Sequence, residues 1–369
     1  MLMIGVLFGG PTPEHDISIL TGLLALRELE RANREVVGIY WTKAGTFVSV
    51  ARGVEAEAFA NGVPAGSDVL EFRLGESRGF VQTAGRFGKD KTINLDAVVL
   101  ATHGGPGEDG TIQGLLDLAG IAYTGPNVAS AALGMDKLAF GSALVAAGLP
   151  SLQRVLVSAS TESIPFAGPY ICKPRFGGSS IGIDVVADLA TLKARLTSNV
   201  HFARGCVVEP YRPDLYDLQI AVRSFPDVTL SAIEKPIRRS TDTEILDYRD
   251  KYVGGEGMVS APRELPANLP AERAAEIRAL AHEIAVLAGV RGVARIDFLA
   301  NDTELYVNEI NTIPGSLSKH LFVEPVIAFL EQLDSLLAEA KQRPAYSYST
   351  AGSDGLVLRS ATSIASKLA

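Results

Sequence analysis

Cysteine is scarce in this chain. Cys172 and Cys206 are the only two in 369 residues, and they make neither a zinc-ligand spacing nor a disulfide framework, so a reducing cytoplasm is the expected compartment. Positive charge is short as well: 34 Lys and Arg stand against 42 Asp and Glu, a formal net charge of -8. That balance excludes a broad nucleic-acid surface and a polybasic membrane patch, so an anionic substrate would need a local pocket of Lys and Arg. Long apolar runs are missing. The opening "MLMIGVLFGG" lacks a basic segment and a cleavage site and is too short to span a bilayer; it reads as a first buried strand. Near the end, "ASKLA" holds Ser-Lys-Leu without terminating in it, which speaks against a peroxisomal address. There are no internal repeats.

What is present describes a soluble globular protein. Hydrophobic residues make up 47% and charged residues 21%, enough to bury a core, and the length suggests two or three domains. "MIGVLFGG" is a strand ending at Gly9-Gly10. The helical pattern "ISILTGLLALRELERA" and a second strand "EVVGIYWT" follow, a βαβ unit and hence a parallel sheet. Residues 44–92 are weakly patterned and read as a variable insertion with short strands. "LDAVVLATHGG" resumes the sheet and "IAYTGP" closes the first unit. "DKLAFGSALVAAGLP" is a helix ended by Gly148 and Pro150. "PYICKPRFGGSSIGIDVV" is two strands around a glycine-rich bend, followed by the helix "ADLATLKARL". Beyond Gly205 strands dominate, interrupted by "DYRDKYVGGEGMVSAP", whose glycines and low apolar content predict a mobile loop. The helix "AERAAEIRALAHEIAVLAG" then leads into "VARIDFLANDTELYVNEIN". Residues 346–369, rich in Ser, Thr and Ala, read as disorder or a short docking helix.

Chemistry concentrates in a few stretches. "ARIDFLA" and "ELYVNEIN" are strands joined at Asn301-Asp302. Folding about that turn brings Asp297 opposite the neighbourhood of Glu309, and the two-residue period puts Glu309 and Asn311 on one face. Two carboxylates and an amide facing one way would repel unless a cation lay between them. Hard oxygen donors without His or Cys suit magnesium beside substrate phosphates; the plain alternative is a solvated strand face. "KPRFGGSSIG" sets Lys173 before a Gly-Gly-Ser-Ser bend whose N–H groups can cradle phosphate, although it lacks the P-loop pattern, and such a bend by itself is more often a simple hairpin turn, gaining weight only beside the acidic hairpin. "LFGGPTPEHDIS" is no dinucleotide fingerprint, and Glu14 there fits a helix-dipole partner. In "THGGPGEDG" a histidine stands at a strand end; a lone histidine there is more often structural, yet strand ends in open α/β sheets are where ligands bind.

Taken in order, "LFGGPTPEHDIS", "HGGPGEDGTIQG", "GMDK", "KPRFGGSSIGI", "DYRDKY", "ARIDF" and "NEINTIPGS" resemble the D-alanine–D-alanine ligases of the ATP-grasp superfamily, over about residues 3 to 335. The resemblance implies an α/β chain of three domains: a Rossmann-like parallel-sheet domain (1–125), a central ATP-grasp subdomain (126–209) and a C-terminal one (210–345), with a tail (346–369). It implies ATP and Mg2+, with Mn2+ as a substitute, small amino-acid substrates, no nucleic-acid or membrane partner, and a homodimer in the cytoplasm. Glu14 matches the acid that holds the first ammonium, with Ser179 and Tyr252 as its partners. His103 matches a polar group near the reacting carboxylate. Lys137, Lys173 and Lys251 match phosphate-binding lysines. Glu209 and Asp217 match the adenine and ribose positions, although Asp217 is usually Glu. Arg295 and the Gly315 amide match the oxyanion stabilisers, and Asp297, Glu309 and Asn311 the magnesium ligands.

One departure stands out. The position matching His320 usually carries a small hydroxyl residue that helps hold the carboxylate of the second amino acid. Here it is an imidazole, with Lys319 beside it, and a protonated His320 would bind a carboxylate by a charge-assisted bond; the alternative is that backbone N–H groups bind and both side chains point away. Three functions follow as expectations: a D-alanine–D-alanine ligase of cell-wall synthesis, the same chemistry with a different acceptor in specialised metabolism or resistance, and a catalytically silent nucleotide-binding relative.

Overall fold

The computed structural model describes residues 3–75, 78–83, 88–237, 262–344, 349–361 and 363–367. Strand β1 (Met3–Gly9), helix α1 (His15–Arg31) and strand β2 (Glu35–Trp41) form the expected βαβ unit, with β1 and β2 parallel. Six of the seven β1 residues are buried, as a strand covered on both faces requires. The segment read as a variable insertion supplies β3 (Phe47–Val50), β4 (Asp68–Arg73), β5 (Gly79–Gln82) and β6 (Lys91–Thr92). These extend the sheet antiparallel from β2, while β7 (Ala97–Leu100) pairs parallel with β1 on the other side. Helix α2 (Thr111–Ala119) ends on Gly120 in the left-handed conformation.

Asn127 caps α3 (Val128–Met135), and Asp136 caps α4 (Lys137–Ala146) through the Leu138 and Ala139 N–H groups. That cap sets Lys137 at the first position of its helix. A four-stranded sheet follows, in the order β10 (Asp184–Val186), β9 (Tyr170–Pro174), β11 (Cys206–Pro210), β8 (Val155–Val157), with α5 (Leu189–Ser198) capped by Asp188. The last sheet runs β14 (Arg263–Glu264), β13 (Thr229–Pro236), β12 (Tyr216–Arg223), β15 (Val293–Ala300), β16 (Leu305–Asn311), and α6 (Ala271–Leu287) covers it.

The chain then returns to its beginning. Leu317, Leu321 and Phe322, with Leu333, Leu336 and Leu337 of α7 (Phe329–Gln342), share one buried cluster with Leu7, Phe8, Val98 and Leu100 of the first sheet. Buried Arg291 reinforces the junction, donating through Nη1 to the Tyr123 carbonyl at 2.9 Å and the Gly125 carbonyl at 2.8 Å. This return sets the turn at Pro314-Gly315 against α1 and beside the loop that follows β7. In the tail, α8 (Leu356–Ser360) is a short helix with exposed side chains.

Candidate active site

A cleft runs between the second and third sheets, lined among others by Lys137, Lys173, Glu209, Asp217, Asp297 and Glu309, with Leu152, Ile171 and Leu299 as apolar walls. Its cations are held by acids of the chain. Lys173 Nζ donates to Glu209 Oε2 at 2.7 Å and to Asn308 Oδ1 at 3.0 Å. Arg154 Nε lies 3.0 Å from Glu209 Oε1. Burial would raise the Glu209 carboxyl, but the charges of Lys173 and Arg154 hold it below its ordinary value. Lys137 Nζ donates to Glu309 Oε2 at 2.9 Å and to the Gly177 carbonyl at 2.6 Å. An apolar slot leading to converging lysines suits a flat base followed by phosphates.

The hairpin forms about residues 301–304, where Asn301 Oδ1 accepts the Thr303 and Glu304 N–H groups. Asp297 is the direct ladder partner of Glu309, and Arg295 that of Asn311. The register then slips, so that Phe298 pairs with Val307 and Asn308 becomes an extra residue. Strict alternation would turn Asn308 away from Glu309; the bulge lets both line the cleft. Arg295 grips Asp297 with two bonds, Nε to Oδ1 at 2.7 Å and Nη2 to Oδ2 at 2.8 Å, and Asn311 Nδ2 donates to Asp297 Oδ2 at 3.2 Å.

A second, smaller cavity opens beyond the hairpin. Glu14, His103, Glu108, Ser179, Arg295, Glu309, Asn311 and Gly315 line it, and Glu309 lines both spaces. Glu14 ends the loop before α1, and Ser179 Oγ donates to its Oε1 at 2.5 Å. Two glycines make room for this acid. A Cβ on Gly104, whose φ is +64°, would lie 2.3 Å from Glu14 Oε2, and one on Gly178 would lie 2.8 Å from it. His103 Nδ1 is 2.7 Å from the Ile313 carbonyl, and burial pushes its pKa down to about 4. Glu108 accepts the Gly104 N–H at 3.0 Å and the Ile313 N–H at 3.1 Å. Burial, then the charge of Glu14, raise the Glu108 carboxyl to about 7.

The expected residues thus fall into two groups. Lys137, Lys173, Glu209 and Asp217 meet in the cleft with Asp297 and Glu309, while Glu14, His103, Ser179, Arg295, Asn311 and Gly315 meet in the smaller cavity. Lys319 and His320 belong to neither lining. His320 Nε2 is 3.2 Å from Glu234 Oε2, Glu234 Oε1 pairs with Arg263 at 3.1 Å, and Lys319 Nζ lies 5.2 Å from the centre of the Phe329 ring. Lys251 and Tyr252, and most of the loop expected to move, lie outside the described residues. Glu108, Arg154 and Asn308 were not singled out by sequence reasoning. Glu108 lies inside the quoted "HGGPGEDG", where an acid among glycines was the available signal; Arg154 and Asn308 carried none.

The same architecture recurs in solved structures. D-alanyl-alanine synthetase A from Vibrio cholerae superposes with a TM-score of 0.77 at 21% identity, over 93% of this chain and 99% of that one. The VanG D-Ala:D-Ser ligase from Enterococcus faecalis gives 0.75 at 24% identity, over 92% and 99%. The class these sheets and clefts define is the ATP-grasp fold. Residues 3–126 match the family described as D-ala D-ala ligase N-terminus, and residues 144–333 that described as D-ala D-ala ligase C-terminus. A D-alanine–D-alanine ligase of Corynebacterium aurimucosum is 31% identical over 366 residues, 92% of this chain and 98% of the relative. One from Mycolicibacterium vanbaalenii is 33% identical over 331 residues, 85% and 89% of the two chains. The chain belongs to the D-alanine–D-alanine ligase family, and it is an ATP-dependent ligase.

Proposed function

We propose that this chain joins D-alanine to D-alanine for cell-wall synthesis, through an acylphosphate, with release of ADP and phosphate. The observation that carries the reading is the shared wall at Glu309: the lysine-lined cleft and the cavity of Glu14 meet there. ATP bound in the cleft would present its terminal phosphate towards a carboxylate in the smaller cavity. Lys137 and Lys173 would exchange their bonds to Glu309, Glu209 and Asn308 for phosphate oxygens. Glu14, braced by Ser179, would hold the ammonium of the first amino acid. A carboxylate oxygen attacks the terminal phosphorus and the bond to ADP breaks. The amine of the second amino acid then attacks the acyl carbon, and phosphate leaves. Arg295 and the Gly315 N–H would stabilise the tetrahedral oxyanion.

Asp297, Glu309 and Asn311 fit a hard divalent cation, as opposed carboxylates each now balanced by one cationic side chain and an amide that needs only to turn over to present its oxygen. Among the described residues no three His, Cys, Asp or Glu side chains cluster for a metal, so ATP oxygens would complete the shell. Magnesium, or manganese in its place, would supply charge neutralisation along the phosphates. The same reading carries the domain bounds 1–125, 126–209 and 210–345, a homodimer and a cytoplasmic location. No described helix is long and apolar enough to cross a membrane. Incubation with Mg-ATP and a panel of D- and L-amino acids and hydroxy acids, with products identified by mass, tests the function. D-alanyl-D-alanine with one ADP per dipeptide is expected; absence of ADP release with D-alanine overturns the reading.

A second reading, the same chemistry with another acceptor, rests on the anchoring of His320. Facing the Glu234 carboxylate, its Nε2 carries a proton, and the ring would have to take a second proton at Nδ1 to donate to an acceptor's carboxylate. A bond to a charged group is worth about 1.5–3 kcal/mol net, so His320→Ser is expected to move the KM for the acceptor roughly tenfold or more while the KM for ATP stays put. Steady-state kinetics with varied acceptor reads this, and an unchanged acceptor KM removes His320 from the site.

A further inference from the structure

The turn that carries Gly315 is strained. Ser316, Leu317 and Ser318 all lie in the left-handed region, with φ of 50°, 50° and 53°, a conformation costing about 1–2 kcal/mol per non-glycine residue. Such a run persists only where its surroundings hold it. Five hydrogen bonds contribute to this here, and their direction can be worked out. The Ile313 carbonyl can only accept, so His103 Nδ1 carries the proton, at 2.7 Å. The buried ring is neutral near pH 7, so its Nε2 accepts from Thr21 Oγ1, 2.8 Å away. The Thr21 hydroxyl in turn accepts the Ser316 N–H at 3.0 Å. On the other side, the Ile313 N–H donates to Glu108 Oε1 at 3.1 Å, while Glu108 Oε2 takes the Gly104 N–H at 3.0 Å. Thr21 is 1% exposed and Glu108 7%. Gly315 therefore sits between a residue gripped at both ends of its peptide and one held by the second turn of α1.

We infer that Thr21 and Glu108 are positioning residues that clamp the Ile313–Ser316 turn, through His103, so that the Gly315 N–H faces the reacting carbonyl carbon's oxygen. This rests on the proposed function, because it takes the Gly315 amide as an oxyanion donor. The inference sets Thr21, a small polar residue on the buried face of α1, and Glu108 to work on the second chemical step. A misplaced amide would slow amine attack at the acyl carbon, leaving the acylphosphate to water at phosphorus, a route with no tetrahedral oxyanion: water adds to phosphorus, the bond from phosphorus to the acyl oxygen breaks, and phosphate and D-alanine are released. The net change is then hydrolysis of ATP without a peptide bond.

The test is the ratio of ADP to dipeptide in Thr21→Val, which keeps the shape and removes the hydroxyl. Misplacement by about an ångström can cost ~10²-fold, so dipeptide formation is expected to fall by about that factor. The ADP-to-dipeptide ratio should rise above one, with the KM for ATP within about twofold of the native value. Thr21→Ser, which restores the hydroxyl, should restore both. A ratio of one in Thr21→Val, whatever its rate, overturns the inference. Glu108→Gln, which turns an N–H donor towards one of two N–H donors, carries the same reading should Thr21→Val fail to fold; a ratio of one there overturns it equally. Native protein that makes no dipeptide from D-alanine would instead overturn the function itself, so the two failures are told apart.

Discussion

Glu309→Gln is expected to reduce turnover by about 10³-fold, the equivalent of roughly 4 kcal/mol of lost charge stabilisation at the transferring phosphate. Glu309 is the residue common to both spaces, and its carboxylate faces Asp297 across the ladder. The amide keeps the shape and can still accept from Lys137, whose present bond is 2.9 Å. Fold stability should therefore change little, since the side chain is 23% exposed. Initial rates of ADP release with D-alanine at saturating Mg-ATP, beside a thermal melt, read both quantities. A rate within threefold of the native one would remove Glu309 from the metal site.

Arg295→Lys is the second large effect. Lysine keeps the positive charge, so buried Asp297 is not stranded without a partner, but it cannot reproduce the two-bond grip at 2.7 and 2.8 Å. If Arg295 stabilises the oxyanion, loss of the planar fork should lower kcat by about 10²–10³ with a small change in the KM for ATP. A preserved kcat, measured in the same assay, would reduce Arg295 to a structural partner of Asp297.

The two effects differ in how far a sequence reader could have reached them. Opposed Asp297 and Glu309 follow from two strands, a turn at Asn301-Asp302 and an alternation of two, all local properties. Helix caps at Asn127, Asp136 and Asp188 are local in the same sense, and so is the parallel pairing of β1 and β2. Asn308 shows the limit. One extra residue in the ladder reverses the face to which alternation assigns it, and nothing in "LYVNEIN" announces a bulge.

Contacts between distant segments were legible only where the family resemblance implied them, as between Glu14 and Ser179. Thr21 reads as one polar residue in an apolar helical pattern, yet it meets Ser316 across 295 positions of chain. His320 reads as a candidate carboxylate ligand, yet its ring lies against Glu234, a strand residue whose burial is offset by that bond and by Arg263. Periodicity and turn chemistry act over a few residues, so the residue order alone was enough for the α/β class, the first βαβ unit and the acidic hairpin. Which acid pairs with which cation, and how the Gly315 turn is braced, depended on helix α7 burying its leucines against the first sheet. That choice rests on the apolar area removed from water when the whole chain collapses, a property of no single stretch.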